Sequence, residues 1–155
     1  MLLYSNGRMS RGNISFALPD GFYFNGINEE CTYESMICFF KNVNDSEIRV
    51  DLCIYQDEAT AQKYTEEWFN EDYEYRYFAQ ISPVEIGGLH GFHAMYASGI
   101  SGRNNEYYAC FLENDLLGDD HYILEFHIDC NNLSIQKVMQ MPEIQKLLSS
   151  IKAEI

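Results

Sequence analysis

Residues 47–54 of the chain read Glu-Ile-Arg-Val-Asp-Leu-Cys-Ile. Apolar side chains occupy every second position, and charged side chains occupy three of the positions between them. Because successive side chains of a β-strand point to opposite faces, this period of two predicts a strand with one buried face and one face in water. The predicted buried set is Ile48, Val50, Leu52 and Ile54, and the polar set is Glu47, Arg49 and Asp51.

The period changes to about 3.6 directly after this strand. One helical face is indicated by the i, i+3, i+4, i+7 spacing of Ala61, Tyr64, Thr65 and Trp68. Asp57 is the predicted N-cap, since its carboxylate can accept hydrogen bonds from the free amides of a first turn. We expect this helix to end near Asn70. The same spacing predicts a closing helix, with Pro142 in its first turn, from Ile144, Leu147, Leu148 and Ile151.

Further strand patterns surround these helices and are joined mostly by short turns. They cover residues 14–18, 22–24, 33–40, 75–86, 89–97, 106–112 and 121–129. Short connections between consecutive strands require antiparallel pairing, which excludes a parallel, Rossmann-type sheet. We therefore predict a single α+β domain over residues 1–155. It has an antiparallel sheet of about six to eight strands, packed with helices on one face or on opposite faces.

Three stretches resemble the PsbP-like (Mog/PsbP/DcrB) domain family. Residues 14–22 combine an apolar strand with Pro-Asp-Gly-Phe and look like the family's opening strand and turn. Residues 84–92 are similar to its central hairpin, and residues 147–151 to its closing helix. The resemblance implies an α/β/α sandwich in a family of mostly binding or accessory proteins, with roles in Ran binding, photosystem assembly and the chaperoning of secretion effectors. It assigns no functional residue to this sequence.

The charge of the chain bears on its partners. It carries 10 basic and 24 acidic side chains, a formal net charge of −14 at neutral pH. A field of this sign repels phosphate backbones and anionic lipids, so neither nucleic acid nor a membrane is expected as a partner. We predict another protein, and a basic one, as the partner. The alternative is that the excess carboxylates only keep the surface solvated.

The cysteines bear on the compartment. Five occur, without a Cys-x-x-Cys spacing, at Cys31, Cys38, Cys53, Cys110 and Cys130. An odd number of dispersed cysteines is typical of free thiols in a reducing compartment. No apolar run reaches the ~20 residues of a membrane helix, and residues 1–9 lack the apolar core of a secretory signal. We predict a cytoplasmic protein, or an exported one if a removed leader preceded Met1.

Four potential metal ligands share one predicted strand face: His121, Glu125, His127 and Asp129. Residues an even number apart in a strand project the same way. Imidazole and carboxylate groups placed together can bind a divalent metal or carry out acid–base chemistry. The alternative is a polar outer face opposite a buried one, since spacing alone supplies neither an open coordination position nor supporting hydrogen bonds.

Two further groups contain the residue types of a metal site without its spacing. His90 and His93 are three apart, which in a strand places them on opposite faces. The loop 113–120 holds four carboxylates, and calcium prefers oxygen ligands. Their order does not match the EF-hand pattern, however, so a solvated acidic loop is the alternative. No cofactor is predicted, because the sequence lacks nucleotide-binding and nucleophile-elbow motifs.

The segment 66–78 combines acidic and aromatic side chains. Aromatic side chains provide large contact areas at interfaces, and carboxylates steer a basic partner. We predict a partner-binding surface at Glu66, Glu67, Trp68, Glu71, Asp72, Tyr73 and Glu74. The alternative is that the aromatic side chains pack inward while the acids face water.

These patterns favour a non-catalytic protein-binding or accessory module of the adaptor, immunity or chaperone-like kind. A second hypothesis is a metal-binding domain or metal-dependent enzyme that uses His121, Glu125, His127 and Asp129. A small-molecule pocket between sheet and helix is a third.

Overall fold

The computed structural model describes residues 2–27, 36–71, 80–97 and 105–154. Within these ranges the chain forms eleven strands and three α-helices. The strands are β1 (Leu3–Ser5), β2 (Arg8–Arg11), β3 (Ile14–Ala17), β4 (Tyr23–Ile27), β5 (Met36–Val43), β6 (Ser46–Gln56), β7 (Ser82–Ile86), β8 (Leu89–Ala97), β9 (Asn105–Glu113), β10 (Tyr122–Asn131) and β11 (Lys152–Ala153). The helices are α1 (Ala61–Glu71), α2 (Ile135–Met139) and α3 (Pro142–Ser150), and a short 3-10 turn covers Gly118–Asp120.

The described strands form two sheets in which neighbouring strands are antiparallel. The larger sheet has seven strands in the order β4-β5-β6-β10-β9-β8-β7, and the smaller has four in the order β1-β2-β3-β11. At the centre of the larger sheet, β6 pairs with β10 and places Leu52 opposite Phe126. The predicted α+β class with an antiparallel sheet is confirmed.

One face of the seven-stranded sheet forms the main hydrophobic core. The alternation predicted for β6 is confirmed, because its whole apolar set is fully buried: Ile48, Val50, Leu52 and Ile54. The same cluster includes Phe16 from the four-stranded sheet, Val138 from α2 and Ile144 from α3. The small sheet and the two C-terminal helices therefore cover this face together.

Helix α1 lies on the other face of the sheet, over β8 and β9. Its buried residues Ala61 and Phe69 pack in one cluster with Ala94 of β8 and with Ala109 and Phe111 of β9. The helical spacing read from the sequence is confirmed, and helices lie on opposite faces of the sheet. None of the described helices combines the length and the apolar composition needed to cross a membrane.

The predicted cap of α1 was wrong. The backbone amide of Lys63 donates to Thr60 Oγ1 at 3.1 Å, whereas Asp57 accepts from the amide of Ala59 at 3.0 Å. Because an N-cap side chain accepts from the second or third amide of its helix, Thr60 is the N-cap. Asp57 instead stabilises the turn before the helix.

Several strand boundaries differ from the prediction. The short strands β1, β2 and β11 were not predicted. Of the strand expected over residues 75–86, the structure describes β7, while residues 75–79 lie outside the described part of the chain.

The tight turn predicted at Gly87 and Gly88 is present and holds the end of the chain. Gly87 has a φ of 58°, and a Cβ there would lie 2.0 Å from the carbonyl oxygen of Ile151. The absence of a side chain lets α3 end at Ser150 against this turn, and Ala153 donates its amide hydrogen to the Gly87 carbonyl at 2.8 Å. The helical pattern predicted through Ile151 therefore stops one residue earlier than expected.

The second face of the central strands is only partly the wet face that alternation predicted. Glu47 on β6 is exposed as predicted, whereas β10 differs. The side chains of Glu125 and His127 on β10 are 16% and 18% exposed. The indole ring of Trp68 lies over His127, with ring centroids 4.3 Å apart. Helix α1 therefore covers part of this polar face, which explains the difference.

Candidate functional site

Two of the predicted site residues lie side by side on β10 beneath α1. The Tyr55 hydroxyl donates to Glu125 Oε2 at 2.7 Å. His127 Nε2 lies 3.8 Å from Glu125 Oε1, and the imidazole packs under Trp68. These polar side chains are thus held by contacts within the fold.

Asp129 lies further along the same strand, in register with Arg49 of β6. Burial raises the pKa of the Asp129 carboxyl; the charge of Arg49 opposes this shift, and the charges of Asp51 and Glu47 add to it. Arg49 itself donates to Asp51 at 3.0 Å. The carboxyl of Asp129 therefore lies in a polar but poorly hydrated setting.

His121, the fourth predicted ligand, is engaged by other elements. It is 7% exposed, its Nδ1 bonds to the backbone carbonyl of Asp57, and its Nε2 lies 3.1 Å from Glu113 Oε2. Among the described residues, no three His, Cys, Asp or Glu side chains are grouped so that they could hold a metal ion. The structure thus does not assemble the predicted metal site from His121, Glu125, His127 and Asp129.

Glu113, at the end of β9, connects three elements of the fold. Its Oε2 accepts the amide hydrogen of Ala61, the first residue of α1, at 3.0 Å and also lies next to His121 Nε2. Its Oε1 is 3.7 Å from Nδ1 of His90 on β8. A carboxylate here satisfies a free amide of the helix and places negative charge at the positive end of the helix dipole. Glu113 therefore ties the start of α1 to the sheet.

The imidazole of His121 is fixed from two sides. Its Nδ1 faces the carbonyl of Asp57, which can only accept, so Nδ1 is the donor in that bond. Its Nε2 lies beside Glu113 Oε2.

The segment before α1 is fixed by Asp57. The Tyr64 hydroxyl donates to its carboxylate, and so does the amide of Ala59, at 3.0 Å. These two bonds hold the pKa of the Asp57 carboxyl below its ordinary value, and the bond from Tyr64 makes the larger contribution. The connection between β6 and α1 is therefore anchored from both sides.

A cleft opens between the start of α1 and the loop of residues 114–120. Its volume is about 430 Å³, and its polar lining includes Glu58, His90, Glu113, Asp115 and His121. No lysine or arginine occurs among the described residues that line it. The cleft is therefore suited to a positively charged group.

Two leucines of the loop also line the cleft and reach into solvent. Leu116 is 45% exposed and Leu117 is 88% exposed. Asp115 lies beside them and contacts His90, with Oδ1 2.5 Å from Nε2. This part of the surface thus combines apolar area with carboxylates.

The loop that carries the leucines is fixed by Asn114, which is buried. The Asn114 amide group donates to Asn13 Oδ1 at 2.5 Å and to the Asp120 carbonyl at 3.0 Å. Its Oδ1 accepts the amide hydrogen of Tyr122 at 3.2 Å. The acidic loop is therefore tied to the sheet by hydrogen bonds, and the described residues offer no calcium-binding group there.

The predicted partner-binding surface lies partly on α1. Glu66 and Glu67 are exposed. Trp68 is half-buried and donates its indole hydrogen to the Tyr96 hydroxyl at 3.3 Å, so it packs inward. The side chain of Glu71 and the residues Asp72, Tyr73 and Glu74 lie outside the described part of the chain.

His90 and His93 lie on opposite faces of β8, as predicted. His90 contacts Asp115 on the α1 side, whereas His93 Nδ1 is 2.7 Å from the hydroxyl of Tyr108, which belongs to the main core. Burial lowers the pKa of His93. The two histidines therefore do not form a ligand pair.

Four described cysteines are free and buried: Cys38, Cys53, Cys110 and Cys130. Burial raises the pKa of the Cys38 thiol to about 11 and those of Cys110 and Cys130 to about 12. Because the thiolate is the nucleophile, these three thiols are unreactive near neutral pH.

Glu113 was predicted only as one of the four carboxylates of a candidate calcium loop, and the two exposed leucines were not predicted as site residues. A signal for Glu113 existed, since it and His121 flank the loop between two predicted strands, and a hairpin brings such residues together. No comparable signal marked Leu116 and Leu117.

Comparison with known proteins adds no relative. No protein-family model matches the sequence, and no curated protein matches it significantly.

Proposed function

We propose that the chain is a non-catalytic protein-binding module whose partner is basic. The observation that carries this proposal is an acidic end of the molecule, formed around α1 and the 114–120 loop. We define it by six exposed carboxylates: Glu58, Glu66, Glu67, Asp115, Asp119 and Asp120.

The acidic end has little compensating charge of its own. Lys63 on α1 lies 4.0 Å from Glu67 and offsets one of the carboxylates. Exposed like charges repel over about 8–10 Å at physiological salt. A basic partner relieves that repulsion and is drawn to this end of the molecule, which raises the rate of encounter.

Charge reversal on α1 tests the proposal. We expect the variant Glu66→Lys, Glu67→Lys to bind about one tenth or less of the amount of native partner protein that the unmodified chain binds from an extract of the source cells. The reason is that the attraction becomes a repulsion. The matched control is Glu47→Lys, Glu85→Lys, which reverses two exposed carboxylates outside the acidic end. Equal retention of the same partners by both variants would contradict the proposal.

The PsbP-like resemblance and the cytoplasmic location belong to the same proposal. An antiparallel sheet with helices on both faces supports the resemblance, and four free buried thiols support a reducing compartment. The structure does not favour the metal-dependent alternative, since no three His, Cys, Asp or Glu side chains of the described residues are grouped so that they could hold a metal ion.

A further inference from the structure

We propose that the cleft, together with Leu116 and Leu117, is the docking site for a segment of a partner protein in which a lysine or arginine neighbours an apolar side chain. This inference rests on the proposed function and names the chemistry of the partner. It places binding at the N-terminal end of α1, ahead of Glu66 and Glu67.

The exposed leucines supply the apolar half of the site. Single exposed apolar residues are common on proteins, whereas a contiguous exposed apolar patch marks an interaction surface. Leu117 is 88% exposed and Leu116 is 45% exposed, so most of the Leu117 side chain is available for burial. Covering this side chain removes apolar surface from water, which favours binding.

The fixed loop makes this apolar surface effective for binding. Asn114 holds both ends of the loop, through the Asp120 carbonyl and the Tyr122 amide, and Gln56 donates to the carbonyl of Asp119 at 2.7 Å. Ordering a flexible loop on binding costs free energy. A loop already ordered by these bonds avoids most of that cost.

The carboxylates supply the polar half. Glu113 is 14% exposed, and its Oε2 is occupied by Ala61 and His121. Its Oε1 has a more distant neighbour, His90 Nδ1 at 3.7 Å, and is therefore placed to accept from a cationic group in the cleft. Electrostatic attraction is stronger at a half-buried carboxylate than at an exposed one.

A protein segment fits this combination better than a small cation does. A small cation would use the carboxylates and leave the leucines in water. A segment that carries a cationic and an apolar side chain covers both, and its charge complements the net charge of −14.

The test measures binding of a fluorescent peptide in which lysine and leucine alternate, by fluorescence anisotropy with the full chain. We expect Leu117→Ser to weaken binding about tenfold, the loss that corresponds to about 1.4 kcal/mol of apolar burial. The matched control is Leu3→Ser, since Leu3 is an exposed leucine of β1 at 61% exposure. It should leave the affinity unchanged.

The polar half is tested with the paired variant Glu58→Gln, Asp115→Asn. We expect weaker binding and a smaller dependence of affinity on salt, because two attracting charges are removed. Glu85→Gln, an exposed carboxylate on β7, is the control. Circular dichroism checks that each exposed substitution leaves the fold unchanged.

Three results would overturn the inference. One is no binding of the lysine–leucine peptide at millimolar concentration. Another is that a lysine–serine peptide binds with the same affinity as the lysine–leucine peptide and that Leu117→Ser leaves this affinity unchanged. The third is that lysine amide alone binds with the same affinity as the lysine–leucine peptide, which would identify a small-cation site. If the peptide fails while the Glu66→Lys, Glu67→Lys variant still loses its native partners, the docking site is wrong and the proposed function stands.

Discussion

The two faces of the seven-stranded sheet differ in how their side chains are stabilised. On the core face, Leu52, Leu112 and Phe126 are fully buried among apolar neighbours. On the α1 face, polar groups such as Glu125 and His127 are mostly covered and contact Tyr55 and Trp68. Apolar burial tolerates many neighbours, whereas a buried polar group needs a specific partner. The α1 face is therefore the side on which particular contacts matter.

The largest expected effect is the loss of stability when a phenylalanine ring is removed from the core face of the sheet rather than from the other face. Phe126→Ala on the core face should reduce the free energy of unfolding by about 3–5 kcal/mol, because it leaves a cavity among fully buried side chains. Phe40→Ala, which removes a half-buried ring from the other face, should cost about 1 kcal/mol. Urea unfolding measures both free energies, and equal losses would show that the two faces contribute alike to stability.

The next effect tests whether Glu113 anchors α1. Glu113→Ala removes the acceptor for the Ala61 amide and leaves His121 Nε2 without its carboxylate. We expect a loss of about 2 kcal/mol and faster hydrogen exchange in the first turn of α1. Glu113→Gln keeps an oxygen for Ala61 and should lose less. Unchanged exchange at the start of α1 in Glu113→Ala would show that the anchor is unimportant.

A smaller effect compares two carboxyls with opposite pKa shifts. The pKa of Asp57 is lowered by its bonds to Tyr64 and Ala59, so its contribution to stability is present above the unfolded value, about 4, and is lost as pH falls through the folded pKa. The pKa of Asp129 is raised by burial. Its contribution therefore favours folding at low pH and is lost as pH rises through the folded value.

Unfolding free energies measured from pH 3 to pH 7 distinguish these two groups. We expect Asp57→Asn to make stability fall less steeply on acidification and Asp129→Asn to make it fall more steeply, in each case relative to the unmodified chain. If both substitutions change the slope in the same direction, one of the two assigned shifts is wrong.

The smallest effect is expected on the exposed side of α1. Lys63 and Glu67 are 64% and 62% exposed and 4.0 Å apart. Exposed pairs of this spacing contribute about 0.3–0.5 kcal/mol. Lys63→Ala should therefore change the unfolding free energy by no more than that, and a change above 1 kcal/mol in urea unfolding would show that this surface is structurally coupled to the sheet.

Local pattern was sufficient to predict much of the fold. The alternation in residues 47–54 identified β6 and its buried set, and the spacing from Ala61 to Trp68 identified the packed face of α1, because both patterns depend on near neighbours in sequence. The cover over the second sheet face could not be predicted from alternation, since Trp68 and His127 meet only after α1 folds back over β10.

The site was less predictable because it depends on distant contacts. Asn114 holds the acidic loop through Asn13, which is 101 residues away in sequence, and Thr60 and Asp57 are both residue types that cap helices. The residue that serves as the N-cap of α1 is decided by the position at which the chain enters the helix. The exposure of Leu117 likewise follows from the fixed loop and has no signature in composition.

Amide chemical-shift mapping of the ¹⁵N-labelled chain, during titration with the lysine–leucine peptide, locates binding on the surface residue by residue. We expect the largest shifts at residues 57–62 and 113–121, around the cleft. Shifts concentrated on β4 and β5, or none at a peptide concentration that saturates the anisotropy signal, would contradict binding at the acidic end.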